Sequence, residues 1–313
     1  CVAIGNFCMG SGVATADGTI AIGRSSLSLL TSGLNLAVGF ESGKTITTGT
    51  QNTLLGYQAG LNINEGGRNT AVGHSAFGGS LDANGDESFD NTFIGFSSGS
   101  GNWVTAVSNK NTAVGAYSMQ GAMNGALQNT AVGYNSLNAV TQGDNNVALG
   151  INAGDSITTG TKNVCIGQNT DPSAVGANNQ IVIGATATGQ ADNSVTLGNA
   201  DVTDVYMAQD SGAKIHALSA EFNAGHTSGA SVKFIADASS SNVTIDSSDT
   251  NSATFLMHNS AGTETIRMNS HGGSITCDAL TSSGAISKGS GSFKIDHPLE
   301  SKKDTHHLVH SFV

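Results

Sequence analysis

The chain of 313 residues has few charged residues, few aromatic residues and almost no proline. Its 12 Lys and Arg residues stand against 23 acidic residues, which gives a net charge of −11. Nucleic acids and anionic membrane surfaces are bound by clustered cations, so we expect neither of them as a partner. No run of 18 apolar residues occurs, and the sequence therefore predicts no insertion into a membrane.

Cysteine is also scarce, and the four residues, Cys1, Cys8, Cys165 and Cys277, are too irregularly spaced for a disulfide framework. We expect small buried thiols instead. The chain begins with Cys1 and has no visible signal peptide, so we expect a fragment or a processed product. Disordered chains are usually charged, whereas this one is rich in Val, Ile, Thr and Gly, which is typical of a solenoid with tight corners.

What the sequence has in abundance is one short repeat, N-T-A-V-G, as at residues 69–73, 111–115 and 129–133. Twelve copies follow one another, with most steps near 17 residues. A period of this length indicates a solenoid in which each repeat forms one coil. The anchoring glycines of the copies are Gly5, Gly23, Gly39, Gly56, Gly73, Gly95, Gly115, Gly133, Gly150, Gly167, Gly184 and Gly198.

The positions before the glycine form columns of distinct chemistry. The residues one and three before it are bulky, being Val, Ile, Leu or Thr, while the residue two before it is usually Ala. In a strand these two sets lie on opposite faces. We expect the bulky columns to fill the lumen of each chain and the Ala column to face another copy. The sequence thus predicts a homotrimer, with a monomeric solenoid that has an Ala-lined outer wall as the alternative.

Asn stands four positions before the glycine in eight consecutive coils, and stacked amides can form a hydrogen-bonded ladder along an axis. We predict a structural role for this ladder. After each glycine we expect a second short strand whose third residue is small, as with Ser42 and Ala59, so that a coil has two strands and two turns. The ladder residues are Asn35, Asn52, Asn69, Asn91, Asn111, Asn129, Asn146 and Asn163.

The coil pattern N-[ST]-[AV]-[AVI]-G resembles the left-handed parallel β-roll in the heads of trimeric autotransporter adhesins. The longer form at residues 52–60 (NTLLGYQAG) resembles repeats in bacteriophage tail-fibre proteins. The resemblance covers about residues 1–199. It implies an all-β chain, a left-handed parallel β-roll or β-solenoid of about twelve coils of ~17 residues, in a homotrimer.

Three further segments are expected after the repeats. Residues 200–220 resemble the neck that closes such rolls in phage fibres, and residues 221–291 contain five short β-like runs. We expect three chains to interleave there into a β-prism or spiral stem, with a small monomeric sandwich as the alternative. Residues 292–313, with SFKIDHPL and THHLVHSFV, resemble a junction in phage and algal-virus fibres. The five runs lie at 231–235, 242–245, 253–257, 264–268 and 274–277.

Few residues are candidates for chemistry. No nucleophile elbow and no phosphate-binding loop is present, so we predict neither an enzyme nor a cofactor. His306, His307 and His310 are weak metal candidates, since the last two could share a helical face. Insertions at residues 78–90 and 101–110 should project as neighbouring surface loops and form a hypothetical contact site. Its residues are Trp103, Asp82, Asp86, Glu87 and Asp90.

Together, these features and the resemblance predict a structural and adhesive subunit of a viral tail or capsid fibre, with a bacteriophage as the favoured source. Such a protein lies outside the cell on the virion surface, and its partners are other virion proteins and a host glycan or receptor. The alternatives are a bacterial trimeric adhesin or extracellular filament protein and, in third place, a glycan-degrading spike.

Overall fold

The computed structural model describes residues 1–10, 17–79, 87–103 and 106–206, together with the backbone of five strands between residues 254 and 311. The chain divides into two compact units, Cys1–Lys214 and Ile215–Val313. The described part is all-β. It contains no α-helix, and hence no apolar helix of membrane-spanning length.

The first unit is a parallel β-solenoid in which every repeat forms one coil with one three-residue strand. Twelve strands stack in chain order into a single parallel sheet of about eleven turns, where the sequence predicts about twelve, and this confirms the predicted β-solenoid. Equivalent residues stand opposite each other, as with Thr70 and Thr92 of successive coils. The strands are β1 (Val2–Ile4), β2 (Ile20–Ile22), β3 (Leu36–Val38), β4 (Thr53–Leu55), β5 (Thr70–Val72), β6 (Thr92–Ile94), β7 (Thr112–Val114), β8 (Thr130–Val132), β9 (Val147–Leu149), β10 (Val164–Ile166), β11 (Ile181–Ile183) and β12 (Val195–Leu197).

The two faces of these strands are reversed relative to the sequence prediction. In strand β5, the middle residue Ala71 is fully buried, whereas Thr70 and Val72 on either side of it are partly exposed. The prediction that the bulky columns fill the lumen and the Ala column faces another copy is therefore wrong. The buried middle residues are Ala21, Ala37, Leu54, Ala71, Phe93, Ala113, Ala131, Ala148, Cys165 and Val182.

The lumen takes most of its bulk from the turns, because most strands contribute only Ala to it. In five coils the residue seven positions after the anchoring glycine is a buried aliphatic side chain. The predicted asparagines are also buried in the solenoid. Because interiors are close-packed, a lumen filled from these positions leaves room for only a small residue on most strands. The five aliphatic residues are Leu30, Ile46, Ile63, Val140 and Ile157.

Large and small residues compensate for each other within a coil. Where the strand contributes Ala71, the residue four positions after the glycine is Phe77, and both are fully buried. Where the strand contributes Phe93, the equivalent later position is Gly99. A Cβ atom at Gly99 would lie 2.5–2.7 Å from atoms of the Phe93 ring. The Phe93 coil therefore accommodates a large side chain on the strand because the turn carries glycine in place of a large side chain.

The predicted second strand of each coil is absent from the described coils. Residues two and four positions after the glycine adopt positive φ, for example 53° at Gln58 and 60° at Gly60, and this left-handed backbone interrupts an extended strand. The segment nevertheless bonds to the next coil, since the N–H of Gly60 donates to the carbonyl of Ala76 at 2.9 Å. The small residues expected between these positions, including Ser42 and Ala59, are fully buried.

The anchoring glycine meets two constraints at once. At Gly95 φ is +136°, a conformation that side-chain-bearing residues rarely adopt. A Cβ atom at this position would also lie 2.5 Å from the carbonyl oxygen of Gly115 in the next coil. Successive coils thus stack backbone against backbone at this corner, which explains why glycine recurs there.

The described part of the second unit contains one three-stranded antiparallel sheet and one hairpin. Three of the five runs predicted between residues 221 and 291 form that sheet, which confirms them as strands, while the runs at 231–235 and 242–245 lie outside the described residues. The interleaving of three chains stays a prediction. The sheet consists of β13 (Thr254–His258), β14 (Glu264–Asn269) and β15 (Ser274–Cys277), and the hairpin pairs β16 (Ser292–Asp296) with β17 (His307–Ser311).

Candidate functional site

The outward side of the twelve-stranded sheet is a continuous apolar surface. Each strand places its first and third residues on this side, and all of them are Val, Ile, Leu or Thr. The exposed fraction is 48% at Leu55 and 49% at Leu149, and it reaches 60% at Val195. Scattered exposed aliphatic residues are normal on a monomer, but a continuous patch marks an interaction site. We refer to the first and third residues of β1 to β12 as the aliphatic face.

The predicted asparagines form a ladder inside the solenoid, where all eight are buried. The Oδ1 atom of Asn111 accepts hydrogen bonds from the backbone N–H and the side-chain amide of Asn129, at 3.0 and 3.1 Å. Its Nδ2 atom donates to Oδ1 of Asn91 at 3.2 Å and to the carbonyl of Ala126 at 2.9 Å. These amides are satisfied within the protein, so the ladder acts on the fold and not on a ligand.

Trp103 lies in the lumen and not at the shaft surface. Its ring is fully buried, with its centroid 4.6 Å from that of Phe77 and 5.6 Å from that of Phe93. The prediction of an exposed contact residue is therefore wrong, because the enlarged coil uses this large ring to fill its wider interior. The indole N–H has no hydrogen-bond partner among the described residues.

Two of the four acidic residues of the predicted contact site lie in the described part of the chain, and both are exposed, whereas Trp103 is buried. Asp82 and Asp86 lie outside the described residues, and Glu87 is exposed. Asp90 accepts two hydrogen bonds from the guanidinium of Arg68 in the preceding coil, at 2.6 Å from Nε and 3.0 Å from Nη2. This pairing lowers the pKa of the Asp90 carboxyl group. Asp90 thus links two coils at the surface, while Trp103 is enclosed.

The histidine group has no helical face. His306 lies outside the described residues, and His307 and His310 belong to strand β17. Positions three apart in a strand fall on opposite faces, so the prediction of a shared helical face is wrong. In the hairpin, position 307 is opposite Asp296 and position 310 is opposite Phe293. Within the described part of the chain, no group of three or more His, Cys, Asp and Glu residues is placed to hold a metal ion.

The thiols differ in their accessibility. Cys165 takes the place of Ala in a buried strand position, and burial, with a contribution from Asp171, raises its pKa to about 12. It therefore stays protonated at neutral pH and is a poor nucleophile. Burial also raises the pKa of the partly buried Cys8. Cys1, which lies outside the Ala and Ser columns of the repeat, is exposed.

No known protein family, no curated protein and no solved structure matches this chain. The aliphatic face runs along all twelve strands of the sheet. A second exposed surface follows the strands on the adjoining turn.

That turn carries a column of aromatic side chains that the sequence interpretation missed. Six rings in successive coils are neighbours, with centroids 4.7 to 5.6 Å apart. The signal was present in the repeat, because the residue directly after the anchoring glycine is aromatic in most of these coils. We call this column the aromatic ladder. It consists of Phe40, Tyr57, His74, Phe96, Tyr117 and Tyr134.

Proposed function

We propose that this chain is a structural and adhesive subunit of a viral tail or capsid fibre, in which three copies form a rigid shaft that contacts the host surface. The aliphatic face carries this proposal. The solenoid bonds coil to coil through its sheet, its asparagine ladder and its turns, and each coil is held by both neighbours. Such a stack provides stiffness and length, which are the properties of a shaft.

The partner that fits the aliphatic face best is a second copy of the chain. Twelve strands at about 4.8 Å extend over roughly 55 Å, and with two side-chain columns the face covers on the order of 600 Å². This approaches the ~800 Å² that each partner buries in a standard interface. A partner that covers the whole face must repeat at the coil spacing, and another copy of this solenoid does so in register.

Cyclic association about an axis parallel to the solenoid keeps the coils of all copies level and closes the assembly. The NTAVG coils and residues 292–313 resemble fibre proteins. From this resemblance come three parts of the proposal: that the assembly has three copies, that it lies on the virion surface, and that the virus is a bacteriophage. The proposed partners beyond the trimer are other virion proteins and a host glycan or receptor.

A matched pair of leucines tests the assembly. Leu55 on the aliphatic face and Leu29 on a turn are exposed to 48% and 47%. Sedimentation equilibrium should give three times the chain mass for the wild type and for Leu29→Asp. Leu55→Asp should dissociate, because it places one buried carboxylate per chain in the interface. A wild-type monomer at micromolar concentration, or equal behaviour of the two variants, would contradict the proposed trimer.

The viral origin is tested by the complete reading frame and its neighbours. We expect flanking genes for virion structural proteins. A reading frame that ends in a membrane β-barrel anchor would favour the bacterial trimeric adhesin instead. Turnover of a host polysaccharide by the purified protein would favour the glycan-degrading spike.

A further inference from the structure

We infer that the aromatic ladder is a binding site for an extended, uncharged, β-linked glycan that runs along the shaft. The inference rests on the proposed function, since it names a surface and a ligand class for the host contact. The ladder crosses six coils, so its five intervals span roughly 24 Å at the spacing of stacked strands.

Four of the six rings are exposed and two, Phe40 and Tyr117, are partly buried, although the fold does not require a ring at this position. Tyr57 is 44% exposed, Phe96 46% and Tyr134 51%. The same position directly after the glycine holds Arg24 before the ladder and Ile151 after it, in coils of the same geometry. A solenoid coil therefore forms equally well without an aromatic side chain at this corner. Large exposed aromatic side chains that the fold does not need are typical of binding surfaces.

In five of the six coils the residue two positions after the glycine is polar and follows a ring, while in the coil of Gly115 this position is the ring of Tyr117 itself. The residue after Tyr57 is Gln58, whose amide donates to Glu41 of the preceding coil at 2.8 Å. The residue after Tyr134 is Asn135, whose amide donates to Asn152 of the next coil at 3.0 Å. Apolar rings flanked by amides and hydroxyls at a fixed spacing suit a sugar, which has apolar C–H faces and a rim of hydroxyl groups.

The charge and the repeat of the surface narrow the ligand class. Glu41 beside the ladder is paired with Lys44 at 2.8 Å. Arg24 lies over the Phe40 ring, 5.7 Å from its centroid, and at the other end Asp155 accepts a hydrogen bond from Asn135 at 3.3 Å. Because charges of both signs are present, the surface favours an uncharged ligand. A ligand that touches every rung must repeat at the coil spacing. An extended β-linked glycan advances by nearly this distance per sugar, whereas an α-linked glucan coils away from a straight track.

Isothermal titration calorimetry on the assembled protein tests the site, with cellohexaose and chitohexaose as probes and maltohexaose as the control for shape. We expect at least one β-linked hexaose to bind, and to bind more tightly than its disaccharide, while maltohexaose does not bind. The double variant Tyr57→Leu, Phe96→Leu should weaken binding about tenfold, because it removes two ring contacts and keeps apolar bulk. Ile151→Ala, at the equivalent corner one coil beyond the ladder, should leave binding unchanged.

The mass of each sample separates failure of the site from failure of the proposed fibre. If the protein is trimeric and neither β-linked hexaose binds, the inference is overturned and the fibre proposal stands. Equal binding by the double variant would also overturn it. If the double variant dissociates while Ile151→Ala does not, the rings belong to the contact between copies, and the glycan site is again refuted. A wild-type monomer that binds the hexaose supports the site and contradicts the trimer.

Discussion

Removal of one amide from the asparagine ladder should destabilise the solenoid far more than removal of a comparable surface amide. In Asn111→Ala the backbone N–H of Asn129 loses the Oδ1 atom that it bonds to at 3.0 Å. The carbonyl of Ala126 loses the Nδ2 donor at 2.9 Å. Asn129 is fully buried, as is Ala126, so neither group reaches water without movement of the coil.

Each buried polar group left without a partner costs about 1–3 kcal/mol, so the two orphaned groups predict a loss of roughly 2–6 kcal/mol. The side-chain amide of Asn129 keeps its bond to the carbonyl of Gly143 at 2.7 Å and adds nothing to this figure. Asn138 serves as the matched control. It is half-buried, and its amide donates a hydrogen bond to the carbonyl of Tyr117 at 3.0 Å. Asn138→Ala should cost about 0.5–1.5 kcal/mol, because water can replace that bond.

The assay is equilibrium denaturation in urea at one fixed chain concentration, since association changes the apparent stability. Hydrogen exchange at the amide of residue 129 adds a local measurement, because a repeat protein can open near one coil before the whole unfolds. The reasoning is refuted if Asn111→Ala and Asn138→Ala lose the same free energy of unfolding within about 0.5 kcal/mol. It is equally refuted if the amide of residue 129 stays as protected in Asn111→Ala as in the wild type.

Two further substitutions probe the corner and the lumen. Gly95→Ala should cost at least about 2 kcal/mol by thermal or urea unfolding, because φ is +136° and the new Cβ would meet the carbonyl of Gly115. Gly10→Ala, whose nearest contacts would be 3.5 Å away, should be nearly neutral, and equal losses would contradict the stacking of backbones at the corner. Cys165→Ala should change stability by less than about 1.5 kcal/mol, since Ala fills this position in other coils. In the wild type, the stability contributed by the protonated Cys165 thiol should fall as pH rises from its ordinary pKa of 9.0 towards about 12. A thiol reagent at pH 8 should label Cys1 and should not label Cys165 until the chain unfolds.

The period of the sequence was sufficient to predict the solenoid and the position of the one strand that each of its coils contains. Each residue of the repeat pattern is explained by its local structure. The glycine adopts a positive φ, and the Asn amide bonds its counterpart in the next coil. Local reasons of this kind can be read from one chain. The absence of the second strand could not be predicted in this way, because Val, Ile and Ala columns do not reveal that Gln58 and Gly60 adopt a positive φ.

The direction of the strand faces could not be read from alternation alone. Alternation says that Ala71 and Val72 face opposite sides, and when both sides are apolar it does not say which side is inside. The deciding information lay in another column, the aliphatic residues seven positions after the glycine, such as Ile46 and Ile63, which already fill the lumen. Trp103 belongs to the same rule. It stands eight positions after Gly95, close to the position seven after the glycine whose side chain points into the lumen. The insertion suggested a surface loop, but its Trp103 side chain is buried in the core.

The corrected orientation strengthens the case for association. An Ala wall would offer little apolar area, whereas an aliphatic face on the order of 600 Å² is worth up to about 15 kcal/mol per chain at ~25 cal/mol per Å², before the costs of association. A prebuilt solenoid has little conformational entropy left to lose, so more of this gain remains as affinity. On a monomer the same face would stay exposed and would favour non-specific association. In a closed ring of copies it would be buried away from water.

The aliphatic face is not uniform along the solenoid, and its variation coincides with the aromatic ladder. The first outward residue is Thr in the five strands β4 to β8, whereas β1 to β3 and β9 to β12 carry Val, Ile or Leu there. Five of the six ladder rings lie on the turns that directly follow β4 to β8. Because Thr buries less apolar surface than Val or Ile, the contact between copies should be strongest towards the two ends of the solenoid. The central coils then contribute less to assembly, and they are the coils whose outer corner carries the rings proposed to bind the host glycan.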